Sequence, residues 1–104
     1  MKILAVTACP TGIAHTYMAA EALEKAARSL GHEIKVETQG SIGIENKITL
    51  KEASAADLVI FAADVAVKEE SRFKGKPIFK AEAQKAIKNA KAIIEEAIKL
   101  CENK

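Results

Sequence analysis

Residues 2–16 read Lys2-Ile3-Leu4-Ala5-Val6-Thr7-Ala8-Cys9-Pro10-Thr11-Gly12-Ile13-Ala14-His15-Thr16, and the break in their pattern decides the fold. Residues 2–7 form a short apolar run suited to a strand covered on both faces. Ala8 to Gly12 hold a proline and a glycine and read as a turn. From about Ile13 to Leu30 the apolar residues Ala19, Ala22, Leu23, Ala26 and Leu30 recur at helical spacing, and Gly31 supplies a C′ stop. A strand that feeds a helix through a tight turn is the first half of a parallel crossover.

The pattern then repeats. Residues 33–38 alternate like a half-exposed edge strand, and 39–43 read as a loop. Thr49 to Ala55 read as a short helix with Thr49 as N-cap and Glu52 three positions on, a capping box. Asp57 to Ala62 make the most strand-like run. An irregular charged stretch follows from Asp64 to Lys76, with a helical turn around Glu69. Residues 77–80 suit a brief fourth strand. A long helix then runs from about Ala81 to Leu100, with Ala83, Ala86, Ile87, Ala90, Ile94, Ala97 and Cys101 on one face. Alternating strands and helices give an open parallel sheet with helices on both faces. Right-handed crossovers predict a Rossmann-like α/β domain of four parallel strands in the order 2-1-3-4. Its switch point falls between strands 1 and 3, at their carboxyl ends, where open parallel sheets bind ligands. Cys9 is placed there.

Bulk composition narrows the function. The chain has 104 residues, 49% hydrophobic and 29% charged, which suits one folded domain spanning 1–104. A formal charge of +2 is too weak to imply nucleic acid or an anionic membrane. No apolar stretch approaches the ~20 residues a membrane helix needs, so no direct membrane insertion is expected. The two cysteines, Cys9 and Cys101, lie at opposite ends of the chain, and only His15 and His32 could join them as soft ligands. Neither a structural zinc nor a dithiol pair fits that spacing, so no metal and no cofactor are expected. A reducing cytoplasm is the expected location. The opening apolar run flows into a Cys-Pro-Thr-Gly turn and reads as a strand rather than a signal peptide. The Met start and Lys-rich end suit a free-standing protein, and a monomer is expected.

The chemistry is carried by the loop after the first strand. Its backbone N–H groups and the helix N-terminus make a cradle for a dianion. The same field favours the Cys9 thiolate, a nucleophile. The cradle is assigned to Pro10, Thr11, Gly12, Ile13, Ala14, His15 and Thr16, with hydroxyl donors from Thr11 and Thr16. Taken alone, a cysteine after a first strand is more often a small buried side chain. The combination with a glycine turn, hydroxyls and a helix start favours a phosphate site. There is no Gly-x-Gly-x-x-Gly after the first strand and no Gly-Lys-Ser/Thr, so neither nucleotide loop is present.

A rival is the cysteine phosphatase loop: Cys, five residues, then Arg and Ser/Thr. Counted from Cys9, His15 stands at the Arg position and Thr16 at the hydroxyl position. The arginine that clamps phosphate bidentately is missing. Hydrolysis also needs an acid for the leaving oxygen and a base for water. Of the two aspartates, Asp57 opens the third strand at the wrong end of the sheet. Asp64 closes that strand; it either approaches the loop or caps the turn or the segment after it. Gln39 and Gly40 either shape a partner face near the cradle or simply make the turn. Ile42 and Ile44 either meet a partner or tuck onto the core. His32 is expected on the surface, Cys101 in the packing of the last helix, and Arg72 and Phe73 as structural anchors.

Val-Thr-Ala-Cys-Pro-Thr-Gly-Ile-Ala-His-Thr-Tyr-Met-Ala-Ala-Glu-Ala-Leu, residues 6–23, resembles the signature of the fructose-type IIB component of the sugar phosphotransferase system. Val-Glu-Thr-Gln-Gly (36–40), Ala-Asp-Leu-Val-Ile-Phe-Ala-Ala-Asp-Val (56–65) and Arg-Phe-x-Gly-Lys-Pro (72–77) extend the resemblance to about residue 80 and, more loosely, into the last helix. The resemblance implies that Cys9 accepts phosphate from a phosphohistidine on a IIA partner. It would then donate the group to a sugar, fructose by family expectation, bound in a membrane-embedded IIC component. The alternatives are a small cysteine phosphatase or arsenate-reductase-like enzyme, and an anion-binding regulatory domain that keeps the loop without its chemistry.

Overall fold

The computed structural model describes residues 2–8, 13–40 and 43–102, with side chains of the first helix described from Thr16 onward. Strand β1 (Lys2–Ala8) is buried along almost its whole length because it is flanked on both sides. It pairs in parallel with β2 (Glu33–Gly40) and with β4 (Leu58–Ala63), and β4 pairs in parallel with β5 (Ile78–Ala81). The parallel part of the sheet therefore runs β2-β1-β4-β5, the order the crossovers predict. The full sheet is mixed and has five strands rather than four. Residues 39–43 are not simply a loop: β3 (Gly43–Glu45) turns back antiparallel on the end of β2, pairing Thr38 with Glu45 and Gly40 with Gly43. A strand of three residues is too short to show a period of two, so its sequence carries no alternation to read. Beyond it, Asn46 continues the edge by donating from Nδ2 to the Val36 carbonyl at 2.9 Å.

Alternate residues of the strands feed two cores. Ile3, Ala5, Val36, Leu58, Ile60 and Ala62 face helices α1 (Ile13–Ser29) and α3 (Ala83–Glu102). Most of the helix residues they meet are alanines, Ala19, Ala20, Ala26, Ala27, Ala83, Ala86 and Ala97, which let two helices lie close on one face. Leu4, Val6, Val59 and Phe61 face the other way, onto Ile48, Ala53, Ala56, Val67 and Phe73. That second layer is thinner, built from α2 (Leu50–Ala55) and a 3-10 turn at Glu70–Phe73. Phe73 is fully buried there, edge-on to Phe61 with ring centroids 5.6 Å apart.

The punctuation follows local chemistry. Gly31 adopts φ +84, and α1 closes with Gly31 N–H donating to the Arg28 carbonyl and His32 N–H to the Ala27 carbonyl. That is a Schellman end, reserved in practice for glycine. His32 is half-buried rather than wholly on the surface. Thr49 caps α2 in a full capping box with Glu52. Lys35 donates to both Glu52 carboxylate oxygens at 2.7 and 2.9 Å, and with the Thr49 N–H it brings that carboxyl down to about 2. α3 ends two residues later than expected and breaks once, at Asn89 (φ −135, ψ 48).

Leu23→Ala removes a fully buried side chain from the α1 layer, and its cost is expected at ~2–5 kcal/mol by urea unfolding. Leu50→Ala, at a residue 70% exposed, is expected to cost under ~0.5 kcal/mol in the same measurement. Equal losses at the two positions would contradict this assignment of the core.

Candidate functional site at the carboxyl end of the sheet

Three chain passages meet where β1 ends. Ala8 lies in register with Gln39 of β2 and with Ala63 of β4. Four residues, 9–12, lead from Ala8 to α1, which starts at Ile13 and has no acidic side chain in its first turn. The Thr7 hydroxyl donates to the Thr16 carbonyl at 3.1 Å, tying the start of the helix to the end of the strand. Thr16 itself is buried. Of the residues assigned to the cradle, Cys9, Pro10, Thr11 and Gly12 lie outside the described residues. Ile13, Ala14 and His15 form the first helical residues, and their side chains are likewise outside the description.

The two aspartates weighed for hydrolysis are engaged elsewhere. Asp57 sits at the amino end of the sheet, where its Oδ2 accepts the Lys2 N–H at 2.9 Å. Asp64 does follow β4, and its backbone N–H donates to the Ala8 carbonyl at 2.9 Å. Its side chain, however, turns to α3 and accepts the Ala83 N–H at 3.2 Å. It caps that helix, favourably placed against the dipole. Arg28 lies in the last turn of α1 and pairs with Glu24. Arg72, the remaining arginine, is fully occupied.

Its partner is Glu37, a residue whose importance the alternation of β2 conceals. The strand reads as half-exposed, yet Glu37 is 0% exposed. Glu37 Oε1 accepts from Arg72 Nη1 at 2.6 Å and from the Ile48 N–H at 2.7 Å. Its Oε2 accepts from Arg72 Nη2 at 2.9 Å and from Gln39 Nε2 at 2.7 Å. Arg72 also donates to the carbonyls of Ile48, Lys68 and Glu69 and lies 4.8 Å from the Phe73 ring centroid. The anchoring role expected of Arg72 and Phe73 is thus realised. Burial by itself pushes the Glu37 carboxyl up, but the Arg72, Ile48 and Gln39 hydrogen bonds outweigh it and hold the group below its ordinary 4.5. Arg72 is raised in turn, chiefly by the Glu37 hydrogen bond.

Gln39 does more than make a turn. Its Oε1 accepts the Lys68 N–H at 2.8 Å, and its Nε2 donates to the Lys68 carbonyl at 3.1 Å. Gly40 pairs with Gly43 and joins β2 to β3. On the other side, the exposed Tyr17 hydroxyl donates to Glu45 Oε1, linking α1 to β3. That bond, first among its causes, raises the phenol above its usual value. Ile44 is half-buried in β3, and Ile42 lies outside the described residues. Cys101 packs beside the α3 layer, its Sγ 3.3 Å from the Asp57 carbonyl. Among the described residues no group of His, Cys, Asp and Glu could hold a metal ion, and no helix is long and apolar enough to cross a membrane.

Comparison with known proteins supplies the family. A family model described as "PTS system, Lactose/Cellobiose specific IIB subunit" matches residues 4–96. The chain is 57% identical over 93 residues to a "PTS system fructose-like EIIB component 2" of Escherichia coli, covering 89% of this chain and 88% of that one. This chain belongs to the IIB family of the sugar phosphotransferase system. The subtype is separated by the curated relatives at 48–57% identity, which carry fructose rather than lactose or cellobiose in their names. A "PTS system fructose-specific EIIB'BC component" of Rhodobacter capsulatus is 48% identical over 98 residues; the match covers 94% of this chain and 17% of that protein. The fold agrees: a domain of the fructose-specific IIABC component of Borrelia burgdorferi superimposes with a TM-score of 0.90 at 51% identity, covering 94% of this chain and 93% of that one. As a fructose-type IIB component, the chain is a phosphoryl-transfer component of sugar uptake.

The buried pair makes a pH-dependent prediction. Arg72→Ala leaves the Glu37 charge buried without its cation and is expected to cost ~3–5 kcal/mol near neutral pH. The folded value of Glu37 lies below its unfolded one, so the stabilisation is present above 4.5 and is lost as pH falls through the folded value. The gap between wild type and Arg72→Ala therefore narrows on acidification, read as denaturant midpoints between neutral and acid pH. A constant gap would contradict the assignment.

Proposed function

We propose that this IIB chain is a phosphocysteine relay in which Cys9 is the nucleophile. The observation that carries the reading is the fate of the two arginines. Arg72 forks onto Glu37, and Arg28 sits in the last turn of α1, at the other end from Cys9. Neither is left to clamp a phosphate as the phosphatase mechanism demands, and Asp64 is spent on the N-terminus of α3. An anion-binding site whose arginines and aspartates are engaged elsewhere holds its phosphate until an acceptor arrives.

The chemistry is two in-line displacements. The Cys9 thiolate attacks the phosphorus of a phosphohistidine on a IIA donor, forming an S–P bond as the P–N bond breaks and the imidazole departs. A sugar hydroxyl then attacks the same phosphorus; an O–P bond forms, the thiolate leaves, and the hydroxyl proton passes to the acceptor site. Loop N–H groups of residues 11–16, with the Thr11 and Thr16 hydroxyls, stabilise charge on the equatorial oxygens, and Pro10 shapes the turn. The α1 N-terminus favours both the thiolate and the phosphoryl dianion. His15 stands where a phosphatase has arginine and orients the loop. Gly40 and Asp64 shape the rim, and no metal or cofactor enters either step. The acceptor is a sugar, with fructose supported by the names of the relatives, held in a membrane IIC component. Relatives named EIIBC and EIIB'BC support that association. The chain works as a cytoplasmic, monomeric domain spanning 1–104 that docks to a membrane partner.

Incubation with a phosphorylated IIA protein followed by intact mass measurement tests the reading. One phosphate is expected on wild type and on Cys101→Ser, and none on Cys9→Ala. A Cys9→Ala protein that still takes up phosphate, or rapid turnover of an aryl phosphate by wild type, would overturn it.

A further inference from the structure

The run Asp64–Lys68 crosses the carboxyl end of β1. It starts beside β1, where Asp64 N–H donates to the Ala8 carbonyl, and it follows β4 directly. It ends at β2, where Lys68 exchanges two hydrogen bonds with the Gln39 side chain, at 2.8 and 3.1 Å. β4 and β2 lie on opposite sides of β1, and Ala8 is in register with both Ala63 and Gln39. Two strand spacings are ~10 Å, and four residue steps reach at most ~13 Å, so the run has little slack. Val67 is turned into the layer beside Phe73, which places the run on the α2 face, opposite α1.

Gln39 is what holds its far end. The amide behaves as a peptide group added to the end of β2, donating to and accepting from one residue as a bridge partner would. Its orientation is dictated: Nε2 faces two acceptors, Glu37 Oε2 and the Lys68 carbonyl, and Oε1 faces the Lys68 N–H. Arg72 Nη2 braces the same Lys68 carbonyl at 3.2 Å. A rotated amide would set its oxygen against the Glu37 carboxylate.

We infer that Gln39 is a positioning residue for phosphoryl transfer: it fixes Val65–Lys68 as one wall of the crevice into which the chain leaves β1. This rests on the phosphocysteine reading. Val65 and Ala66 are exposed and Val67 is buried, so residues 65–67 of the wall carry no acid or base that could direct water at a phosphorylated thiol. A wall held in one place keeps the donor in line, and misplacement by ~1 Å costs up to ~100-fold in rate.

The test is transfer from a phosphorylated IIA protein to wild type, Gln39→Leu and Gln39→Glu, all in the Cys101→Ser background. Both variants are expected to reach one phosphate per chain. Their rate at saturating donor should fall by about tenfold or more, with KM for the donor unchanged. Gln39→Glu is close to isosteric and carries the test should Gln39→Leu fail to fold. Relative to wild type, it should recover as pH falls and its carboxyl regains a hydrogen to donate. A merely structural role would lower the end point and leave the rate per competent chain unchanged. Wild type that accepts phosphate while both variants do so at the wild-type saturating rate would overturn the inference. Wild type that accepts none would instead overturn the carrier reading, and this inference with it.

Discussion

A carboxylate cut off from water must find its charge and its hydrogen bonds inside the protein, and Glu37 sets that demand here. Both of its oxygens are filled twice over, by the Arg72 fork, the Ile48 N–H and the Gln39 amide. Meeting the demand draws three distant stretches together. Ile48 brings in the chain that leads to α2, Arg72 brings the 3-10 turn, and Gln39 carries the network onward to Lys68. An isolated buried charge would be ruinous, and a well-packed apolar substitute could match the pair in stability. What the pair supplies is direction: hydrogen bonds that hold residues 64–73 in one place over the thin face of the sheet.

That placement links fold to function. The thick face, α1 and α3 on alanine-rich packing, sets the start of α1 behind the end of β1. The thin face has little apolar surface of its own apart from Phe73, Ile48, Val67 and the α2 alanines. It relies on polar ties instead, and those ties are directional in a way that hydrophobic packing is not. The end of β1 therefore has α1 on one side, tied by the Thr7–Thr16 bond, and the hydrogen-bonded run 64–68 on the other. Arg72 is consumed by Glu37 and the Asp64 side chain by the start of α3.

Much of this architecture is legible in the sequence because it rests on local rules. Gly31, Thr49 with Glu52, and the apolar runs of β1 and β4 each declare an element through backbone sterics, capping or burial. The parallel order follows from crossover handedness. The antiparallel β3 was illegible because three residues cannot display a period. Glu37 is hidden in the sequence for a related reason: alternation with Lys35 and Glu33 looks like a solvent face, and burial is set by a partner 35 residues away. A signal was present nonetheless. Residues 36–40 and 72–77, two of the stretches that match the family pattern, are the two joined by the Glu37–Arg72 pair.

The central claim is that phosphate on this domain waits for an acceptor. The most direct measurement is the fate of the phosphorylated protein after separation from its donor, followed by phosphorus NMR. A single S-phosphoryl resonance should persist in buffer and collapse on addition of unphosphorylated IIA protein, as the group returns to histidine. Steady release of inorganic phosphate on the timescale of that return would contradict the account and make the domain a phosphatase.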